Sequence, residues 1–183
     1  MDKLDIVTDE SGNEVVLLPE IIFSNKQNIN WNDVEDYLGK YVGELIEIAE
    51  TSYIISIGNK FPDEYGGSSY TRKTKGARAK AKANAAQGIR EMVEIATDKV
   101  YRENHKEKHS EDVHNGWYYY VTRFAIPLYN NEKKTGEYNV YSACLVVNHA
   151  ANGKMYLYDV VGIKKKRVTH SRLSSSQVVQ NRF

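Results

Sequence analysis

The chain has 183 residues, 41% apolar and 27% charged, with 25 Lys and Arg against 24 Asp and Glu. That suits one domain with a real core, and a net charge of +1 excludes a protein that is basic or acidic throughout. The single cysteine, Cys144, excludes an intramolecular disulfide and argues against cysteine-ligated zinc. It sits in the apolar run YSACLVV and reads as a small core residue. No apolar run approaches the ~20 residues of a transmembrane helix, so no membrane partner is expected. The acidic start MDKLDIVTDE lacks a signal-peptide stretch. Production in the cytoplasm is expected, including as part of a larger protein delivered into a target cell.

In chain order, residues 1–14 read as a polar leader. Val15 to Phe23 is apolar around Pro19 and reads as an extended edge segment. Asn30 is a capping residue, with Ile29 and Val34 at hydrophobic-staple positions. Trp31, Val34, Leu38 and Val42 then form a helical stripe ending near Gly43. Leu45 to Ile57 is β-like, interrupted at Thr51-Ser52. Gly58 to Gly76 is loop-like. Ala77 to Thr97 reads as one alanine-rich helix despite Gly88, with Arg78 and Lys82 on one exposed face. Asp98 to Asn115 reads as a short helix or a loop. Three strands follow, Trp117 to Leu128, Tyr138 to Asn148 and Lys154 to Ile163. Asn152-Gly153 forms the second turn, because both residues tolerate positive φ. Residues 168–183 read as a disordered polar tail. Residues 15–167 thus form a single α+β domain, N-terminal helices packed on a C-terminal antiparallel sheet.

Positive charge is concentrated in Arg72, Lys73, Lys75, Arg78, Lys80 and Lys82, a run with no acid among them. Such a field beside a glycine-containing loop suits a polyanion such as RNA; an ordinary solvated helix start has the same composition. Alternation places Tyr118, Tyr120, Thr122, Phe124 and Ile126 on one face of the first long strand and Trp117, Tyr119, Val121 and Arg123 on the other. On the third strand it groups Met155, Leu157, Asp159, Val161 and Ile163, opposite Lys154, Tyr156, Tyr158, Val160 and Lys164. Arg123 in an apolar strand needs an anion. The two readings are an ion pair with Asp159 and a phosphate contact. His105 and His109 lie four apart; a metal site there needs a third ligand from Glu103, Asp112 or His114. The alternatives are a solvated surface, or His109 as a general acid or base in metal-independent RNA cleavage. No P-loop, dinucleotide fingerprint, HExxH or nucleophile elbow is present, and no cofactor is expected.

FPDEYGGSSYT, AKANAAQGIREMVEIAT, WYYYVTRFAIP, YNVYSACLVV and GKMYLYDVVGIKK occur in this order. Together they resemble a domain at the C-terminal ends of large phage and prophage proteins of Gram-positive bacteria, including MuF-type polymorphic toxins. The resemblance runs from Ile21 to Lys166. That family is similar in fold to the barnase–EndoU–colicin–RelE ribonucleases, with small helices before an antiparallel sheet. The positions matching its motif are His109, Trp117, Tyr119, Thr122, Arg123, Tyr138, Tyr158, Asp159 and Lys164. The resemblance implies a metal-independent endoribonuclease toxin acting on tRNA or another structured RNA, countered by an immunity protein. His109 would transfer a proton, and Arg123 and Lys164 would hold the scissile phosphate. Thr122 or Tyr158 would donate a hydrogen bond to it. Arg72, Lys73, Lys75, Arg78 and Lys82 would hold flanking phosphates. The alternative is a non-catalytic protein-interaction domain of a phage or mobile-element protein. Nucleotidyl or ADP-ribosyl transfer is a third option without a cofactor fingerprint.

Overall fold

The computed structural model describes residues 2–25, 27–103 and 115–166, and the backbone of 172–173. The chain opens with an antiparallel pair, β1 (Ile6–Thr8) and β2 (Glu14–Leu17). The supposed leader is therefore part of the sheet, with Val7 and Val15 buried. A three-residue strand buries too few side chains to leave a pattern in the sequence. Helix α1 (Trp31–Leu38) starts as expected, Asn30 Oδ1 accepting from the Asn32 N–H at 3.2 Å. It tightens into a 3-10 turn at Gly39–Tyr41, which leaves Val42 outside the apolar stripe and exposed. Strands β3 (Leu45–Glu47) and β4 (Ile54–Ser56) form a hairpin. Ser52 in its turn has a φ of 60°, which accounts for the interruption there.

The segment from Gly58 to Gly76 is not a loop. It holds helices α2 (Phe61–Gly67) and α3 (Ser69–Lys73). Pro62 lies in the first turn of α2, where a missing N–H costs nothing. Ser68 ends α2 and caps α3, its Oγ accepting from the Thr71 N–H at 3.1 Å. The expected single helix after Gly76 is broken in two: α4 (Gly76–Ala85), a 3-10 turn (Ala86–Gly88), and α5 (Ile89–Glu94). A Cβ on Gly88 would stand 3.1 Å from Leu18 and 3.2 Å from Val16. Backbone contact with β2 thus favours a residue that helices disfavour. The carbonyls released by the break are not orphaned, because the Tyr41 hydroxyl lies 2.7 Å from Ala86 O and 2.9 Å from Gln87 O.

Next come β5 (Thr97–Arg102), in place of the expected helix or loop, and three long strands: β6 (Trp117–Asn130), β7 (Lys133–His149) and β8 (Met155–Lys165). The β6–β7 turn is tighter than its polar sequence suggests. Asn131 and Glu132 both take positive φ, as a two-residue hairpin requires. The short β9 (Arg172–Leu173) pairs with β7; the rest of the expected tail lies outside the described residues. The sheet runs β1-β2-β6-β7-β8-β4-β3, with β5 also on β6. It is mixed and not purely antiparallel, because β2–β6 and β4–β8 are parallel. The class is α+β, with the helices N-terminal to the long strands and packed on one face. The sheet curls, so that Lys166 Nζ past β8 lies 3.6 Å from Asp9 past β1. A second small core of Val7, Val15, Leu17, Ala125 and Val140 fills that curl. No helix among the described residues is long and apolar enough to cross a membrane.

The second half of α4 is buried on every side. Ala79, Ala81, Ala83 and Ala85 are core residues, as are the polar Lys82 and Asn84. The Asn84 amide accepts from Ile22 N and Phe23 N and donates to Phe23 O and Lys80 O. Gln87 Nε2 donates to Glu20 O. These bonds tie residues 20–23 to the helix. Lys82 faces the other way. Its ammonium lies 2.5 Å from Asp159 Oδ1, both side chains essentially without solvent exposure. It also lies 4.5 Å from the Tyr65 ring centroid and 5.0 Å from that of Tyr70. Asp159 Oδ1 takes a further bond from the Val160 N–H. Lys82 is thus a core residue and not a surface phosphate ligand, and Asp159 belongs to it and not to Arg123.

Burial pushes the Asp159 carboxyl up and the Lys82 amine down, and their mutual attraction opposes both shifts. Asp159→Asn removes the groups that hold the Lys82 proton, so the folded amine falls further below its unfolded value. A base depressed in the folded state is stabilised as pH rises toward its unfolded pKa and destabilised as pH falls. Asp159→Asn is therefore expected to cost about 3–5 kcal/mol near neutral pH. Urea unfolding at about pH 9.5, approaching the unfolded lysine pKa, should recover part of that loss; equal losses at both pH values would contradict this assignment.

Candidate nucleic-acid interface

The sheet face turned away from the helices carries the aromatic and basic residues. Along β6 it presents Trp117, Tyr119, Val121 and Arg123, all half-buried. Strand register sets them in rows. Arg123 stands opposite Ser142, and Ser142 opposite Lys164. Val121, Cys144 and Val161 form a second row, and Trp117, Asn148 and Tyr156 a third. Tyr158 packs edge-on against Trp117, with ring centroids 5.0 Å apart. Arg102 on β5 faces Trp117 across the strands and lies over the Tyr119 ring at 5.1 Å.

Two bulges in β8 decide which side chains reach this face. The first lies between Leu157 and Asp159, the second between Val161 and Lys164. Each adds one residue and reverses the alternation. Val160 consequently turns into the core and Val161 outward, the reverse of simple alternation. The second bulge contains Gly162 with a φ of 61°, which glycine adopts without strain. It restores the original phase, so Lys164 emerges beside Ser142 and shares a face with Tyr156 and Tyr158, as the sequence suggested. Cys144 is on this face and half-buried, not in the core, and burial pushes its thiol up.

Arg123 and Lys164 are brought together in the row through Ser142, whereas Tyr158 shares their face but packs against Trp117 at its other end. Arg123 Nε is buried without a hydrogen-bond partner, and no ion pair engages Arg123 among the described residues. Thr122 is not part of the group. It points to the helices, 1% exposed, and its hydroxyl donates to Met92 O at 2.8 Å. It anchors α5 to the sheet and does not meet a ligand. His109 lies outside the described residues, as do His105 and His114. Arg72, Lys73, Lys75 and Arg78 are exposed, on α3 and the start of α4. The Tyr70 hydroxyl accepts from Ile163 N–H at 2.9 Å, so α3 rests against the part of β8 that carries Lys164. The basic patch and the Arg123–Lys164 row therefore adjoin around one sheet edge.

Sequence reasoning missed Arg102, Ser142 and Asn148 as members of this face. Their signal was a polar or aromatic residue at an outward position of an otherwise apolar strand, readable only once the register was known. The chain matches no protein-family model, no curated protein and no solved structure. With no partner to lose, Arg123→Met is expected to keep stability within about 1 kcal/mol. Thr122→Val should lose about 1 kcal/mol with its hydrogen bond. Chemical denaturation of the two variants checks both, and a large loss in Arg123→Met would restore the ion-pair reading.

Proposed function

We propose that this chain is a metal-independent endoribonuclease toxin domain that binds tRNA or another structured RNA on its helix-free sheet face. The observation that carries this reading is the Arg123–Ser142–Lys164 row, two cations flanking a hydroxyl on adjacent strands, with Arg123 Nε unpartnered. Guanidinium and ammonium groups so placed suit a phosphate whose charge grows during cleavage. The ribose 2′-oxygen would attack phosphorus as a base takes its proton, and the 5′-oxygen would leave as an acid protonates it. His109 is our candidate for proton transfer, on the strength of the family resemblance, and Tyr158, which packs beside Trp117, belongs to the aromatic end of the face and not to the phosphate row. The aromatic end of the face, Trp117 and Tyr119, suits stacking of unpaired bases. The exposed cations Arg72, Lys73, Lys75 and Arg78 would hold flanking phosphates, and an immunity protein would cover this face.

A protein-interaction domain is the second reading. It is favoured by the apolar surface at the β3–β4 edge, where Leu45 is 70% and Ile54 47% exposed. Incubation of total RNA with the protein in EDTA separates the two. The nuclease reading expects discrete fragments from the parent, lost in Arg123→Ala, Lys164→Ala and His109→Ala variants that remain folded. Intact RNA in the parent lane would favour the interaction domain. Binding should also weaken steeply with salt. Replacing Arg72, Lys73, Lys75 and Arg78 together should flatten the slope of log K against log salt by about 3.

A further inference from the structure

At the Trp117 end of this face lies a cavity of about 280 Å³. It opens between the segment joining β4 to α2 and the tip of the β7–β8 hairpin. Its walls include Gly58, Glu64, Asn148, Asn152, Tyr156 and Leu157. The volume is at the small end of ligand sites, which begin near ~300 Å³, and suits one ring system with a substituent.

Asn148 is the informative residue. It is only 7% exposed, and its Oδ1 is buried without a hydrogen-bond partner. A buried acceptor left unmade is destabilising, and native structures rarely keep one. A ligand bearing an N–H would complete it. Tyr156 stands directly across the strands from Asn148 and is held in place on two sides. Its hydroxyl accepts from Asn152 Nδ2 at 3.4 Å. Its ring lies so near Gly58 that a Cβ there would approach to 3.2 Å. The site thus joins a fixed aromatic wall to a dry amide acceptor. A nucleobase has the matching chemistry, a π face and an edge of N–H donors.

The cavity also continues the face described above. Asn148 pairs with Trp117, and six steps along β6, about 20 Å of strand, separate Trp117 from Arg123. We propose that the cavity is a base-selective pocket for one unstacked nucleobase of single-stranded RNA, with Tyr156 against the ring and Asn148 Oδ1 accepting an N–H from the base edge. The inference rests on the RNA reading and adds a specificity determinant to it.

The test measures binding of labelled oligo-A, oligo-C and oligo-U octamers, alongside free nucleoside monophosphates followed by the Asn148 side-chain amide signals in ¹⁵N spectra. The parent should prefer one base by about tenfold. Asn148→Leu, close in size, should abolish that preference and weaken the preferred octamer about tenfold, while its melting temperature stays unchanged or rises. A residue serving structure alone would instead lose stability and keep the preference. Tyr156→Leu should also weaken binding about tenfold and Tyr156→Phe should not, which provides a readout if Asn148→Leu fails to fold. Octamer binding with parental preference in Asn148→Leu would overturn the pocket and leave the RNA reading standing. No octamer binding by the parent would sink the RNA reading; the nucleotide arm then decides the pocket. Shifts of the Asn148 signals by a nucleoside monophosphate would retain it as a site for free nucleotides, and unshifted signals would overturn it.

Discussion

The ion pair between Lys82 and Asp159 organises the molecule. It joins the centre of a buried helix to a bulge in a strand, with both side chains buried. Such a pair adds little net stability against apolar residues of equal size, but leaving either member alone is very unfavourable. Its effect is therefore on register. Only one placement of α4 against β8 brings the two charges together. The same placement sets Tyr65 and Tyr70 around the ammonium, and Tyr70 in turn accepts from the backbone of Ile163. Lys164, the next residue, is held at the sheet edge by this chain of contacts. The helix layer thus fixes a cation on the opposite face without touching it.

The helix layer follows a consistent logic. Alanines let α4 approach its neighbours closely, and the residues that break the apolar pattern each satisfy specific backbone or charged groups. Asn84 and Gln87 complete hydrogen bonds of residues 20–23 and so hold this half-exposed segment against the helix. Tyr41 caps the carbonyls freed where the helix breaks at Gly88. The polar residues of this interior behave as fasteners, each tied to specific partners.

Much of this was legible in the sequence, and the failures have physical causes. The long strands, the cap at Asn30 and the split faces of β6 followed from residue type and period. The α2–α3 region was misread because it contains Pro62 and the run Gly66-Gly67-Ser68-Ser69, although here Pro62 opens one helix and Ser68 caps the next. Lys82 was misread because its charge suggested solvent, and its partner lies 77 positions away in sequence. On β8 alternation exchanged Val160 and Val161, since bulges leave little trace in a single strand. It still placed Tyr158 and Lys164 on one face, because the two bulges cancel. Thr122 lay on the face already assigned to Tyr120 and Phe124, and that alternation was a better guide to it than its hydroxyl.

The two parallel pairings have a bearing on biosynthesis. Val16 meets Phe124 and Ile55 meets Met155, so both N-terminal hairpins complete the sheet only against strands made long after them. Closing such large loops is slow and yields nothing until both ends are present. A nascent chain lacking Asp159 would hold Lys82 with no counter-charge and β7 with an unfinished neighbour. The row of Arg123 and Ser142 would still lack Lys164 at that stage. Whatever this surface does, it would begin only after the C-terminal strands leave the ribosome, giving the producing cell an interval in which the protein is present and inert.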